Sequence, residues 1–286
     1  MKVLVFGRDG QLGSALRVLS PESSNSLFFA RSDLDFFDTD SIRATINYHV
    51  PDLVINAAAY TSVDLAEKES SVAFKINAEA PAIIASACND IGARVIHFST
   101  DYVFDGEAET PYSEKELVNP LGVYGQSKLA GEEAIAAETD SYIVIRTAWL
   151  YSLVGENFLK TMLRLAKSEK EIRVVSDQFG CPTYAYDLAK ATWSIVAQLK
   201  KKEEFSAGIY HAVNSGVASW HEFAQEIFRA LGRTDMVIHP ITTGEYPTLA
   251  KRPFFTALSC NQIKKNFGVT LPNWRDAVSR CLHEAE

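Results

Sequence analysis

Little in this chain could hold it together other than a folded core. The four cysteines, Cys88, Cys181, Cys260 and Cys281, stand far apart with no Cys-x-x-Cys spacing. That spacing excludes a disulfide framework and a structural zinc site, and it fits reduced thiols in a cytoplasm. No apolar run approaches the ~20 residues that a bilayer demands, and the opening apolar run is too short for a secretory core. A cytoplasmic protein without a membrane partner is expected. An excess of basic charge is also missing: 28 Lys and Arg stand against 36 Asp and Glu, a formal net charge of −8. The absent electropositive footprint argues against nucleic acid as a partner, so an anionic ligand must be met by local cations. Internal repeats and low-complexity tracts are lacking too. What remains is ordinary globular composition, 47% hydrophobic and 22% charged over 286 residues. That is room for one large α/β unit, or a main domain with a smaller lobe.

The first half alternates strand-like and helix-like stretches, the pattern of a doubly wound parallel sheet of Rossmann type. Lys2–Phe6, Ser26–Ala30, Asp52–Asn56, Ala93–Phe98 and Ser141–Arg146 read as buried strands. Ser70 to Ile91 is alanine-rich and helical, with Pro81 expected to kink or divide it. Thr110 to Pro120 reads as a surface loop. Beyond residue 150 the alternation loosens, although Phe158–Lys167, Tyr186–Leu199 and Ser219–Leu231 read as helices. Ile172–Val175 and Gly208–Val213 read as strands. The tail carries Pro240, Pro247, Pro253 and Pro272 and is too irregular for the sheet. The expected division is a dinucleotide-binding domain over 1–150, joined by sheet and helix elements near 172–213, and a mainly substrate-binding lobe over 151–286 that is interleaved with the first. That lobe would cover the sheet's carboxyl edge, where open α/β sheets bind ligands.

Two distant segments carry most of the chemistry. Gly7-Arg8-Asp9-Gly10-Gln11-Leu12-Gly13 lies between a strand and a helix, where bare amides at a positive helix end can meet a pyrophosphate. Its G-x-x-G-x-x-G spacing differs from the G-x-G-x-x-G dinucleotide fingerprint. Tyr124-Gly125-Gln126-Ser127-Lys128, if helical, sets a phenol and an ammonium on one face. A nearby cation would lower the phenol's pKa and suit it to proton transfer. Either segment alone is compatible with a plain turn or a plain helix face. Together they point to hydride transfer. Ser99-Thr100-Asp101 ends a strand with hydroxyls placed to meet a substrate carbonyl, although capping is the ordinary use of such residues. Asn56-Ala57-Ala58-Ala59 ends another strand with small residues that let a ribose or nicotinamide approach, or a helix pack tightly.

At this point the chain resembles the extended short-chain dehydrogenase/reductases, and within them the group that reduces dTDP-linked 4-keto sugars. The supporting segments are Phe6-Gly7-x-x-Gly10-Gln11-Leu12-Gly13, Asn56-Ala57-Ala58-Ala59-x-Thr61-x-Val63-Asp64 and Ser99-Thr100-Asp101-Tyr102-Val103-Phe104. Tyr124-Gly125-x-x-Lys128-Leu129-x-Gly131-Glu132, Arg146-Thr147-x-Trp149, Asp177-Gln178-Phe179-Gly180-x-Pro182-Thr183 and Arg252-Pro253 continue the series. The resemblance implies Thr100, Tyr124 and Lys128 as the catalytic set. It implies Thr100, Asp101 and Trp149 as contacts to a dTDP-sugar, with a plain core role competing for Trp149. Gly7, Gly10, Gln11, Leu12 and Gly13 would meet the cofactor pyrophosphate, and Ala59, Tyr60, Thr61, Tyr124 and Lys128 would lie along the cofactor. Ala30-Arg31-Ser32 follows the second strand, where an acidic residue often reads the ribose diol. Arg31 instead suits a 2′-phosphate, which favours NADPH, with NADH second. Asp35 and Phe36 would touch the adenine end. The resemblance is compatible with a homodimer. A Mg²⁺ requirement finds no ligand cluster in the sequence, and no metal site is expected.

Two other functions compete. A dehydratase of this superfamily places an Asp-Glu pair after the strand threonine, whereas Thr100-Asp101 is followed here by Tyr102. An epimerase would retain its cofactor through the cycle. The regulatory subunit of methionine adenosyltransferase also resembles these reductases and acts as a binding partner. The intact Thr100, Tyr124 and Lys128 set favours catalysis.

Overall fold

A computed structural model describes residues 1–22, 24–199 and 206–283. Six parallel strands form the central sheet, in the order Gly208–His211, Tyr142–Thr147, Arg94–Thr100, Leu53–Asn56, Lys2–Phe6, Asn25–Phe29. Their near-continuous apolar runs suit a sheet covered on both faces. One face is packed by Leu12, Leu16, Leu188, Trp193 and Ile195, the other by Ile42, Ile46, Ile84 and Cys88. The chain reverses direction across the sheet between Lys2–Phe6 and Leu53–Asn56. That reversal opens the crevice at the strands' carboxyl ends where ligands bind in such folds.

The helical stretch after Ser70 is divided, although not by a proline kink. Ser70–Phe74 and Ala80–Asp90 are α-helical, and Lys75–Glu79 between them is a π-turn. Pro81 sits in the first turn of the later segment, two residues past the end of the π-turn. The Tyr124 segment is helical as expected, over Val123–Glu138. Gly131 on that helix touches the π-turn so closely that a Cβ there would lie 2.1 Å from the Asn77 carbonyl oxygen.

A second apolar cluster gathers Leu159, Met162, Phe223, Ile227, Trp274 and Val278. Its helices are well capped: Asn157 Oδ1 accepts from Lys160 N–H, and Ser219 with Glu222 forms a capping box. Two expectations need correction here. The strand Glu171–Val175 pairs in parallel with Val237–Ile241 and stands outside the central sheet. The tail is not confined to a covering lobe, because Ile263, Phe267, Val269 and Leu271 are buried in the core beneath the central sheet. Among the described residues, no helix is long and apolar enough to cross a membrane.

Candidate active site

A single cleft of about 1430 Å³ runs along the carboxyl ends of the strands. One end is built by the glycine turn. Gly7 has φ of +88° and lies so near the neighbouring strand that a Cβ would sit 2.7 Å from the Ala57 backbone. Only glycine fits there. Gly10 caps the Gln11–Val18 helix with no side chain across its end. The first amides of a helix lack partners within it, so this end faces the cleft as an anion site. Gly13 does not line the cleft. A Cβ on it would come 1.9 Å from the Gly7 carbonyl oxygen, so its smallness seats the helix on the turn. The spacing G-x-x-G-x-x-G thus reflects one backbone approach, one open cap and one packing contact.

Gly7, Gly10, Gln11, Leu12, Arg31, Asp35, Phe36, Ala59, Tyr60 and Thr61 all line this cleft, as do Thr100, Asp101, Tyr124, Lys128 and Trp149. The structure therefore brings together every expected site residue except Gly13. The side chain of Gln11 is turned to the protein: its Oε1 accepts from Asn157 Nδ2 at 2.8 Å and from Ser152 Oγ at 3.1 Å. Its side-chain nitrogen donates to the Leu150 carbonyl at 3.4 Å, so the backbone N–H is what remains for a ligand. Phe36 serves the core as well, edge-on to Phe6 at 5.8 Å. The Tyr60 hydroxyl donates to Glu69 and its backbone N–H and C=O are both bonded to the Asn77 side chain, leaving the ring for the cleft.

The cleft floor is polar and underused. Ser99 Oγ, Asp101 Oδ2 and Thr147 Oγ1 are buried without a partner, and all three residues line the cleft. Buried polar atoms are nearly always satisfied, so three orphans in one floor mark the place of a polar ligand. Thr100 Oγ1 donates to Asp101 Oδ1 at 3.1 Å and accepts from Tyr102 N–H. Burial raises the Asp101 carboxyl to about 7, with the Thr100 hydrogen bond opposing. Burial also raises the Tyr124 phenol, and the Thr100 hydrogen bond pulls against it.

Here the structure departs from the expectation that Lys128 lowers the tyrosine's pKa. Lys128 is 2% exposed and its Nζ lies 3.1 Å from His97 Nε2. Burial lowers the lysine to about 8, with Glu132 opposing. The lysine's charge is not among the causes that shift the phenol, which burial dominates.

Trp149 lines the cleft and also packs against two apolar clusters. Its φ of +44° is strained for a bulky residue, and strain of that kind collects at functional sites. The indole stacks on Trp220 at 3.5 Å and 3°, and a Cβ on Gly180 would meet it at 2.5 Å. Gln178 Oε1 accepts from Trp220 Nε1 at 3.2 Å, completing a wall that the sequence reading did not assign. Arg252 was also left unassigned: its Nη2 donates to Asp64 at 2.7 Å, and both residues line the cleft. Both Gln178 and Arg252 lie in segments that carry the family resemblance, so the signal was present without a role.

The comparisons with known proteins agree with this geometry. The family model described as the RmlD substrate binding domain matches residues 1–286. The dTDP-4-dehydrorhamnose reductase of Escherichia coli K12 is 40% identical, over 99% of this chain and 98% of that protein. A crystal structure of a dTDP-4-dehydrorhamnose reductase from Clostridium acetobutylicum superposes with a TM-score of 0.94 at 37% identity, covering 100% of this chain and 99% of that one. The Bacillus anthracis reductase, solved in complex with NADP, gives a TM-score of 0.92 at 36% identity, covering 99% of each chain. Full-length similarity places the chain plainly: it belongs to the RmlD substrate binding domain family.

Proposed function

We propose that the protein uses NADPH to reduce the C4 keto group of dTDP-4-dehydro-6-deoxy-L-mannose (dTDP-4-dehydro-L-rhamnose), giving dTDP-L-rhamnose for cell-surface polysaccharide synthesis. The observation that carries this reading is the convergence of Thr100, Tyr124 and Lys128 with the glycine turn in one cleft. The relatives that match over full length are named dTDP-4-dehydrorhamnose reductase.

The cleft fits a dinucleotide: the Gly7 approach and the open Gly10 cap accept a pyrophosphate, and the exposed Arg31 suits a 2′-phosphate. Gly7, Gly10, Gln11 and Leu12 would hold the pyrophosphate, Asp35 and Phe36 the adenine end, and Ala59, Tyr60 and Thr61 the middle. Bound there, NADPH supplies a hydride to the sugar's C4 carbon. Tyr124 donates its phenolic proton to the C4 oxygen, and its raised pKa keeps that proton in place until negative charge develops. Thr100 turns its hydroxyl to the same oxygen, stabilising charge where it forms. Lys128 holds the nicotinamide ribose and, as an ammonium, neutralises the phenolate that Tyr124 becomes. Asp101 and Trp149 orient the sugar.

The proposed division is a sheet domain built by 1–150 together with returning elements, and a substrate lobe around the second apolar cluster. It is supported by the chain's passage between the two cores. Cytoplasmic location is supported by the thiols of Cys88 and Cys181, buried and raised to about 12, which suits unreactive reduced cysteines. A homodimer is the expected assembly, and light scattering measures it.

The deciding experiment follows NADPH absorbance with dTDP-4-dehydro-6-deoxy-L-mannose. One cofactor oxidised per dTDP-L-rhamnose formed is expected. Product formed without net cofactor loss would mean epimerisation, and no turnover with tight binding to another protein would mean a regulatory subunit.

A further inference from the structure

One buried side-chain network lies outside the groups assigned to the reaction. Asn56, His97 and Lys128 are 1%, 0% and 2% exposed. Ala58 N–H donates to Asn56 Oδ1 at 3.1 Å. That contact orients the amide, so Nδ2 is the atom facing His97 Nδ1 at 3.1 Å. An amide nitrogen only donates, and Nδ1 must therefore accept. Burial, with Lys128 as the second cause, holds the imidazole pKa well below its usual value. A neutral ring accepting at Nδ1 carries its one proton on Nε2. Yet Nε2 lies 3.1 Å from Lys128 Nζ. An ammonium has three donors and no acceptor, so the two groups would oppose donor to donor. The contact is a hydrogen bond only when the lysine is an amine with a lone pair.

We propose that Asn56, through the tautomer it imposes on His97, favours the amine form of Lys128 by giving it a donor at Nε2–H, and that protonation of Lys128 breaks this contact and frees Nζ for the cleft. His97 is thus a positioning residue. The proposal deepens the reading of Tyr124 and Lys128 given above and rests on it. The other groups around Lys128 do not supply an acceptor in its place. Glu132, one turn along the same helix, is taken by Arg146 through bonds of 2.9 and 2.6 Å. Asn77 from the π-turn gives Nδ2 to Ser127 Oγ, and Lys75 and Glu79 on that turn pair with each other. Tyr124, one turn back, lines the same cleft, and Asp101 lies on its floor.

The proton balance follows directly. The amine takes one proton from solvent, and the resulting ammonium has a charge to set beside the Tyr124 phenolate. Turnover needs that ammonium, so activity declines as pH rises through the lysine's pKa, and a donor at His97 Nε2 places the decline at lower pH than an acceptor would.

Asn56→Asp tests this. One carboxylate oxygen can still accept from Ala58 N–H while the other accepts from His97 Nδ1–H. The imidazole proton then moves to Nδ1, and Nε2 becomes an acceptor for the ammonium. Nitrogen-15 NMR of the imidazoles in the full chain reads the tautomer, with His97 assigned as the signal lost in His97→Gln. The expected result is Nε2–H in the wild type and Nδ1–H in Asn56→Asp, with the alkaline limb of kcat/KM moved upward by at least about one pH unit. A wild-type Nδ1–H tautomer or imidazolium would overturn the inference, as would an unmoved limb in a variant whose tautomer has switched. Should Asn56→Asp not fold, the wild-type tautomer decides. Full turnover by Lys128→Met would instead sink the reaction assignment and leave the tautomer result standing.

Discussion

At the scale of single residues, the cleft separates binding from chemistry. Tyr124→Phe removes the proton donor and keeps the ring that packs edge-on to Tyr102 at 5.8 Å. kcat is expected to fall by about 10²–10⁴-fold with the NADPH dissociation constant nearly unchanged, read by single-turnover kinetics and fluorescence titration. Lys128→Met should lose both turnover and cofactor affinity if Lys128 performs the two tasks proposed for it. Arg31→Asp sets a carboxylate where a 2′-phosphate would lie, so the ratio of kcat/KM for NADPH over NADH should drop. An unchanged ratio would show that Arg31 does not read the ribose. These residues were legible because each belongs to a short local pattern. His97 and Asn56 were not, since one sits midway along an apolar strand and the other ends its neighbour, and they join Lys128 in one network only when strands and helix pack.

At the scale of elements, the important junction is between the Val123–Glu138 helix and the π-turn at Lys75–Glu79. Asn77 there is fully buried; its Oδ1 accepts from Tyr60 N–H at 2.8 Å and its Nδ2 donates to Ser127 Oγ at 3.0 Å. One side chain thus couples the cofactor wall to the helix that carries Tyr124 and Lys128. Gly131→Ala would drive a methyl into the Asn77 carbonyl, a backbone atom with no rotamer to yield. A loss of about 1–3 kcal/mol is expected, together with reduced turnover, measured by denaturant unfolding and initial rates. The helical periodicity across Ser70–Ile91 revealed that a helix was present. It could not reveal a π-turn, which inserts one residue to aim Asn77 and is decided by what packs against it.

At the scale of the whole molecule, the site is held at a cost in stability. The Asp101 carboxyl is raised from 3.8 to about 7 by burial. A raised folded-state pKa means that the stability present below about 3.8 is progressively lost as pH rises to about 7. Asp101→Asn has no such loss. Its melting temperature should exceed the wild type's by a few degrees at pH 8 and match it more closely near pH 4, while turnover falls. A pH-independent difference would mean that Asp101 is not the group responsible. The tail adds a second long-range feature: Asp64 accepts from Ala250 N–H at 3.0 Å and from Arg252 at 2.7 Å, tying the segment after Tyr246 across the cleft. Asp64→Ala is expected to raise KM for the sugar more than it lowers kcat, in steady-state assays at saturating NADPH.

The sequence by itself determined the parallel sheet, the glycine turn and the Tyr124 and Lys128 spacing on one helix. All of these are written within a few residues as periodicity, small side chains or charge. Tertiary structure alone decided three other things. It moved Glu171–Val175 out of the central sheet and the 260–271 segment into the main core, because apolar runs state that they will be buried and not against what. It assigned Gly13 to packing, which a glycine's position in a motif does not distinguish from ligand contact. It also set the protonation of the site, since burial and hydrogen-bond direction, which spacing does not encode, raise Tyr124 and lower Lys128.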